Sequence, residues 1–295
     1  MSQLVKGKQP LNVLIAYPYF SENWIEFLRK TPKEDYRLIV DSGAFSAWNT
    51  GLQIDLDEYC RFLDAISDLR PFHAVQLDVY GDPHQSYQNF LTMNKRGYDV
   101  MPVFTRGETS SRLEDLYSYT DYIMFGGIAI GGKNDAYLRW FMNQNGKRRV
   151  HWLGFTNTSF VKYYRPESVD SSSWNSLRRF GNMAVYDPKT MRITNANKNQ
   201  FIEKPDKELV DKLLKVGATW EDVKKLGKSD AWRTSISKHD IKNTADRINN
   251  YARIKQALDL ERMYGTKIFL ACAMPHYVLE FLFDCFYEGR DKGLW

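Results

Sequence analysis

Three aspartates could carry chemistry in this chain. Asp41 closes the β-rich run "YRLIVDSG", Asp78 stands near the end of "HAVQLDV", and Asp170 lies inside "ESVDSSS". Each has an ordinary explanation. Asp41 can hold a turn with Ser42 and Gly43, Asp78 can bond the loop amides of "DVYGDP", and Asp170 can cap a helix starting near Ser172. Brought to one mouth they mean more, because like charges held together are costly unless a substrate or a shifted pKa relieves them. The residues after Asp41 sharpen the question. "DSGAFSAW" sets a carboxylate beside Phe45 and Trp48, which is either a turn or a site acting on a planar group that a ring holds.

The elements that must position these residues read as strands alternating with helices. "LNVLIAY" (11–17), "YRLIVDSG" (36–43), "HAVQLDV" (73–79), "YDVMPVF" (98–104), "YIMFGGIA" (122–129), "RVHWLGF" (149–155) and "ESVDSSS" (167–173) are strand-like, and "KIFLACA" (267–273) is a candidate eighth. "DLDEYCRFLDAIS" (55–67) is an amphipathic helix behind acidic first-turn residues, and "PHYVLEFLFDCFYEG" a last helix between Pro275 and Gly289. This alternation predicts an α/β fold, a (β/α)8 TIM-like barrel, rather than an open sheet. No G-x-G-x-x-G follows the first strand. A Lys-rich interruption at about 180–266, with a hairpin and helices near 206–216 and 239–262, is expected to elaborate a single barrel domain spanning 1–295. The strand ends then present Asp41, Asp78, Gly126, Gly127, Leu153, Gly154 and Asp170 at one mouth.

Composition bounds the rest. The 295 residues are 43% hydrophobic, enough for a sizeable core, and no apolar run approaches the ~18 residues of a membrane span. The N-terminus lacks a signal peptide's apolar core, and the three cysteines, Cys60, Cys272 and Cys285, have no disulfide spacing. The expectation is a soluble, reduced, cytoplasmic protein, in a host's cytoplasm if the chain is viral. Net charge is +5, a mild pointer to an anionic partner. The charge is unevenly spread: residues 139–165 hold six basic residues, Arg148 and Arg149 among them, and no acidic one, while a second positive stretch near 224–243 includes Lys224 and Lys225.

The motifs resemble the tRNA-guanine transglycosylases. "DSGAF" is similar to that family's Asp-Ser-Gly-Gly-aromatic signature, "GGIAIGG" to its Gly-Gly-Leu-Ala-Val-Gly segment, and "HWLGF" to its Tyr-Leu-Met-Gly-Val stretch. "SVDSSSWNSLRRFG" sits where the family has an aspartate followed by an Arg-rich turn, and the four motifs fall in the family's order across residues 36–185. The resemblance implies that Asp170 is the nucleophile at C1′ of the target nucleotide and Asp41 the general acid/base. Asp78 and Ser42 would meet the base's polar groups, and Phe45 and Leu153 would sandwich the purine. The backbone of Gly126, Gly127, Ile128 and Gly154 would line its polar edge. The chemistry is coherent, because cleaving an N-glycosidic bond develops positive charge at C1′ that a carboxylate can trap while a second one moves the proton.

The chain departs from the family in two places. Cys272 and Cys285 stand thirteen positions apart with Cys60 remote, which cannot form the family's closely spaced zinc cluster, so no metal or cofactor is expected. "VFTRGE" places Arg106 where the family has a glutamine, as a base-edge contact, a phosphate contact or a loop residue. A short, zinc-less chain looks most like the phage and bacterial relatives that exchange guanine in DNA for a 7-deazaguanine such as 7-cyano-7-deazaguanine, protecting the genome from restriction. The partner expected is therefore DNA with a flipped guanine, and Arg148, Arg149, Arg178, Arg179, Lys224 and Lys225 would hold its phosphates. Trp152, Trp174 and Trp232 could stack on bases or sit in the core. The alternatives are tRNA as the polymer, a non-catalytic nucleic-acid-binding barrel, or a glycoside hydrolase.

Overall fold

Strands rich in β-branched and aromatic residues alternate with capped helices, and the strands pair in parallel. In this computed structural model the described residues are 9–128, 135–176, 181–203, 205–232 and 242–295. The strands are β1 Leu11–Ala16, β2 Tyr36–Asp41, β3 His73–Val75, β4 Val100–Met101, β5 Val103–Phe104, β6 Tyr122–Phe125, β7 Arg149–Trp152, β8 Ser168–Ser171, β9 Asn182–Asp187, β10 Arg192–Asn197 and β11 Lys267–Cys272. Nine of them form one sheet in the order β4-β3-β2-β1-β11-β8-β7-β6-β5. Its two edges, β4 and β5, are separated only by Pro102, which has no N–H to give to a ladder. The Pro102 carbonyl still accepts from the Met124 amide at 2.9 Å, and the Met101 carbonyl from the Gln76 amide at 3.0 Å. One extended segment therefore faces β3 with its first half and β6 with its second. Counted as one strand, it brings the sheet to the eight-stranded, nearly closed barrel that the alternation predicts.

The chain's contacts divide into two compact units. One runs to Ser171 and takes Ile268–Ala273, which is the barrel; the other is Ser172–Lys267 with Met274–Trp295. Helices Leu56–Ala65, Pro83–Lys95, Ser110–Tyr119 and Thr158–Tyr164 of the barrel begin on the caps Asp55, Asp82, Thr109 and Asn157, each accepting a first-turn amide. Inside the barrel, side chains at alternate strand positions meet: Leu14, Ile39, Val75, Met101, Val103, Tyr122, Met124, Phe269 and Ala271 form one buried cluster, with Leu153 packed against it. That two-residue period places every other strand residue in the interior and the rest under the helices.

The second unit has its own core. The antiparallel hairpin of β9 and β10 packs with helices Lys207–Lys215, Trp220–Leu226 and Thr244–Tyr264 around Met183, Val185, Leu213, Leu226, Trp232 and Ile248. The last helix, His276–Asp291, runs two residues past Gly289, where the sequence pattern ends it. Gly289 is instead a place of close approach, because a Cβ there would lie 1.9 Å from the Trp295 ring. Among the described residues no helix is long and apolar enough to cross a membrane.

Candidate active site

The interior period selects the site. Asp41 shares its face of β2 with Ile39, Asp170 shares its face of β8 with Ser168, and His151 lies one pleat below Leu153. Asp41 ends its strand in a tight turn in which the Gly43 amide donates to Oδ2 at 3.1 Å. Gly43 has φ +79°, and a Cβ there would fall 2.3 Å from the Pro18 ring, so only glycine fits this turn. Ser42 is fully buried and its hydroxyl accepts the Asp78 amide at 3.3 Å, which ties the loop after β2 to the loop after β3.

Asp170 is 6% exposed and anchored on one oxygen. Its Oδ1 accepts the Gly154 amide at 2.9 Å and faces His151 Nε2 at 3.1 Å. The other ring nitrogen of His151, Nδ1, faces the Ser168 hydroxyl, and Ser168 Oγ meets the Tyr122 hydroxyl at 2.5 Å. All three of these side chains are buried inside the barrel.

Electrostatics links the carboxylates. Burial, then the charge of Asp170 and more weakly that of Asp78, pushes the Asp41 carboxyl up to about 7, against the opposing pull of the Gly43 and Ser42 amides. Burial also raises Asp78, which Ser86 and the Val79 amide hold down in part. Glu108 is pushed up to about 7 by burial, although its Oε2 accepts the Thr105 amide at 2.7 Å and Arg112 lies 3.6 Å away; Asp78 adds to the rise. A cleft lined by His84, Gly107, Glu108 and Arg112 opens beside it. A carboxyl that titrates near neutrality can both give and take a proton at working pH.

The loops that follow Asp41 and Asp78 carry flat, apolar side chains. Phe45 and Trp48, on helix Ala44–Thr50, are each 57% exposed, and with Tyr80 they form a cluster whose closest ring centroids are 4.4 Å apart. Leu153 faces the barrel interior, Gly126 continues β6 by donating to the Phe104 carbonyl, and Ile128 is buried. Gly127 lies against the Arg106 loop, where a Cβ would sit 3.1 Å from Arg106 Cβ. The Arg106 guanidinium lies over the Tyr137 ring at 4.8 Å.

Among the basic residues expected to hold phosphates, two can be located against the carboxylates. Arg149 begins β7 and Arg148 precedes it, so both sit at the opposite end of the strands from the carboxylates. Arg148 makes a two-pronged pair with Glu114 at 2.8 and 2.9 Å, and Arg149 pairs with Asp121 at 3.1 Å. Lys224 and Lys225 lie on helix Trp220–Leu226 of the second unit, and Lys225 reaches Glu221 at 4.0 Å. Arg178 and Arg179 lie outside the described residues, as does 233–241 of the second positive stretch. Trp152, Trp174 and Trp232 are buried in the cores of their units, not free to stack on a base.

Three further residues join these groups. His151 stands inside the quoted "HWLGF", and its inward parity with Leu153 was a usable signal. Glu108 stands inside "VFTRGE", but only the loop folding back onto Thr105 shows its burial. Tyr80, within "DVYGDP", joins the ring cluster through a turn that no spacing encodes. Among the described residues no three His, Cys, Asp or Glu side chains are grouped to hold a metal ion. The chain matches no family model, no curated protein and no solved structure.

Proposed function

We propose that this chain is a base-exchanging transglycosylase that replaces guanine in DNA with a 7-deazaguanine through a covalent aspartyl-glycosyl intermediate. The observation that carries the reading is the pair at the strand ends: Asp170, anchored on one oxygen, and Asp41, whose carboxyl burial and the charge of Asp170 push up to about 7. In the first step Asp170 forms a C1′–O bond as C1′–N9 breaks. The electron pair leaves with guanine, and neutral Asp41 supplies the proton. In the second step the incoming base gives its N9 proton to the Asp41 carboxylate and bonds to C1′. The C1′–O bond breaks and Asp170 recovers its charge. One group serving both directions needs a pKa near the working pH, which the burial of Asp41 and the charge of Asp170 supply.

Asp78 offers acceptors to a donor-rich guanine edge, and Phe45 and Leu153 offer two apolar surfaces for its faces. DNA stands ahead of tRNA because Cys60, Cys272 and Cys285 are buried, form no disulfide and are spread far apart along the sequence, unlike the clustered thiolates of the tRNA enzymes. The test incubates radiolabelled guanine-containing DNA and tRNA separately with the protein and 7-cyano-7-deazaguanine. Guanine release from DNA, abolished in Asp170→Ala and Asp41→Ala, is the expected result. Release from tRNA alone would move the polymer and keep the chemistry; release from neither would overturn the enzyme reading.

A further inference from the structure

Behind Asp170 runs a line of polar groups in the barrel interior that the exchange reaction as written does not use. Tyr122, Ser168 and His151 are 1%, 0% and 0% exposed, and each needs a partner that water cannot supply. With a single proton on the His151 ring, their protons can be arranged in two ways. In one, Tyr122 donates to Ser168, Ser168 donates to His151 Nδ1, and His151 Nε2–H donates to Asp170 Oδ1. In the other the direction is reversed, and an unprotonated Nε2 faces the carboxylate oxygen, lone pair against lone pair. That arrangement also turns the Tyr122 proton away from Ser168. Only the first satisfies every contact with an ionised Asp170. Burial keeps Tyr122 protonated and so a donor, and the Arg149 guanidinium 4.6 Å over its ring favours donation further.

We infer that His151, locked as the Nε2–H tautomer by Ser168 and Tyr122, is the positioning residue of Asp170: it and the Gly154 amide occupy Oδ1 and leave Oδ2 as the oxygen that attacks. The inference rests on the transglycosylase reading and adds a division of labour between its two steps. Two donors on Oδ1 draw charge from the carboxylate, which does little for attack on C1′. In the ester the same donors hold the carbonyl oxygen, and they make the carboxylate a better leaving group when the second base arrives. His151 therefore acts chiefly on the breakdown of the covalent intermediate.

The experiment measures steady-state guanine exchange and the amount of covalently bound polymer, using denaturing gels, for wild type, His151→Leu, His151→Gln and Ser168→Ala. His151→Leu is expected to lower kcat on the order of 10²-fold, lower KM and raise the trapped adduct, because breakdown becomes limiting. His151→Gln, whose amide can still donate to Oδ1, should recover at least tenfold of the loss. A kcat within threefold of wild type, a fall without adduct, or a glutamine variant as poor as the leucine one would overturn the inference, since a purely structural residue gives that pattern. Nitrogen NMR of histidine-labelled wild type, with the His151 signal identified by its loss in His151→Gln, reads the tautomer without any substrate. Nε2–H supports the relay, and Nδ1–H or a doubly protonated ring overturns it. Wild type that releases no guanine overturns the enzyme reading, and the tautomer then decides the anchoring of Asp170 by itself. Should His151→Leu fail to fold, Ser168→Ala carries the test: a mixed tautomer with raised adduct supports the relay, and an unchanged ring and rate refute it.

Discussion

The two units treat their buried and half-buried aspartates in opposite ways. In the second unit Asp222 pairs with Arg247 and accepts both the amide and the hydroxyl of Thr219, and Asp259 is held by Lys255 at 2.9 Å, Arg262 at 3.2 Å and the Tyr186 hydroxyl at 2.9 Å. In the barrel, among the described residues, no lysine or arginine forms an ion pair with Asp41, Asp78 or Asp170, and the charges of Asp170 and Asp78 fall on Asp41. A buried carboxylate with a cation beside it holds a fold together. A group of carboxylates without one is a cost the fold carries, and such costs gather where chemistry is done.

The contrast breaks first at Asp170. Asp170→Asn keeps the shape and both hydrogen bonds' acceptor but removes the charge, and the rate of guanine release should fall by at least ~10³-fold with the melting temperature nearly unchanged. Asp222→Ala should do the reverse. Removing one member of a buried ion pair costs roughly 3–5 kcal/mol, so denaturant unfolding should show a large loss of stability in the second unit, while the folded fraction keeps its exchange chemistry. A variant that lost stability at Asp170, or chemistry at Asp222, would erase the distinction.

Asp41 sharpens it with a smaller effect. Its folded pKa is about 7 and its unfolded value is near 4, so between those pH values the folded chain holds a proton that the unfolded chain has released. The stability linked to this proton is complete below about pH 4 and is lost as pH rises through 7. Asp41→Asn keeps an acceptor for the Gly43 amide and has nothing to ionise. Relative to wild type it should be more stable at pH 8 than at pH 4 by at least ~1 kcal/mol, since each pKa unit is worth about 1.4 kcal/mol. Paired melts at the two pH values read the difference directly; a difference that does not change with pH would mean that Asp41 ionises freely. The same variant should lose guanine exchange, so the gain in stability and the loss of chemistry come from one carboxylate.

Most of the barrel could be read in advance, and the reasons differ along the chain. The strand runs carry their β-branched and aromatic residues in order, and Asp41 and Asp170 fall on inward positions that the two-residue period fixes. The break at Pro102 is a matter of one missing N–H. Glu108 and Tyr80 could not be placed, because loops bury side chains through turns whose direction the spacing does not record. Charge counted along the sequence does not record what a side chain meets in the fold. Residues 139–165 contain no acidic side chain, yet Arg148 and Arg149 meet Glu114 and Asp121, which come from earlier in the chain.

Those two arginines give the smallest and most discriminating prediction. Exposed pairs such as Arg148–Glu114 and Arg149–Asp121, with acidic partners 67% and 79% exposed, contribute roughly 0–1 kcal/mol each. Arg148→Ala and Arg149→Ala should therefore each cost less than about 1 kcal/mol in stability. Their position at the opposite end of the barrel strands from Asp41 and Asp170 makes a second demand. A side chain that neutralises a phosphate releases a counterion, and its loss reduces the slope of log binding constant against log salt by about 1. DNA binding measured across a salt series should show no such change for either arginine variant. A slope reduced by about 1 in either one would place nucleic acid along the whole barrel wall, and the carboxylate mouth would no longer be the only face of this unit with a function to explain.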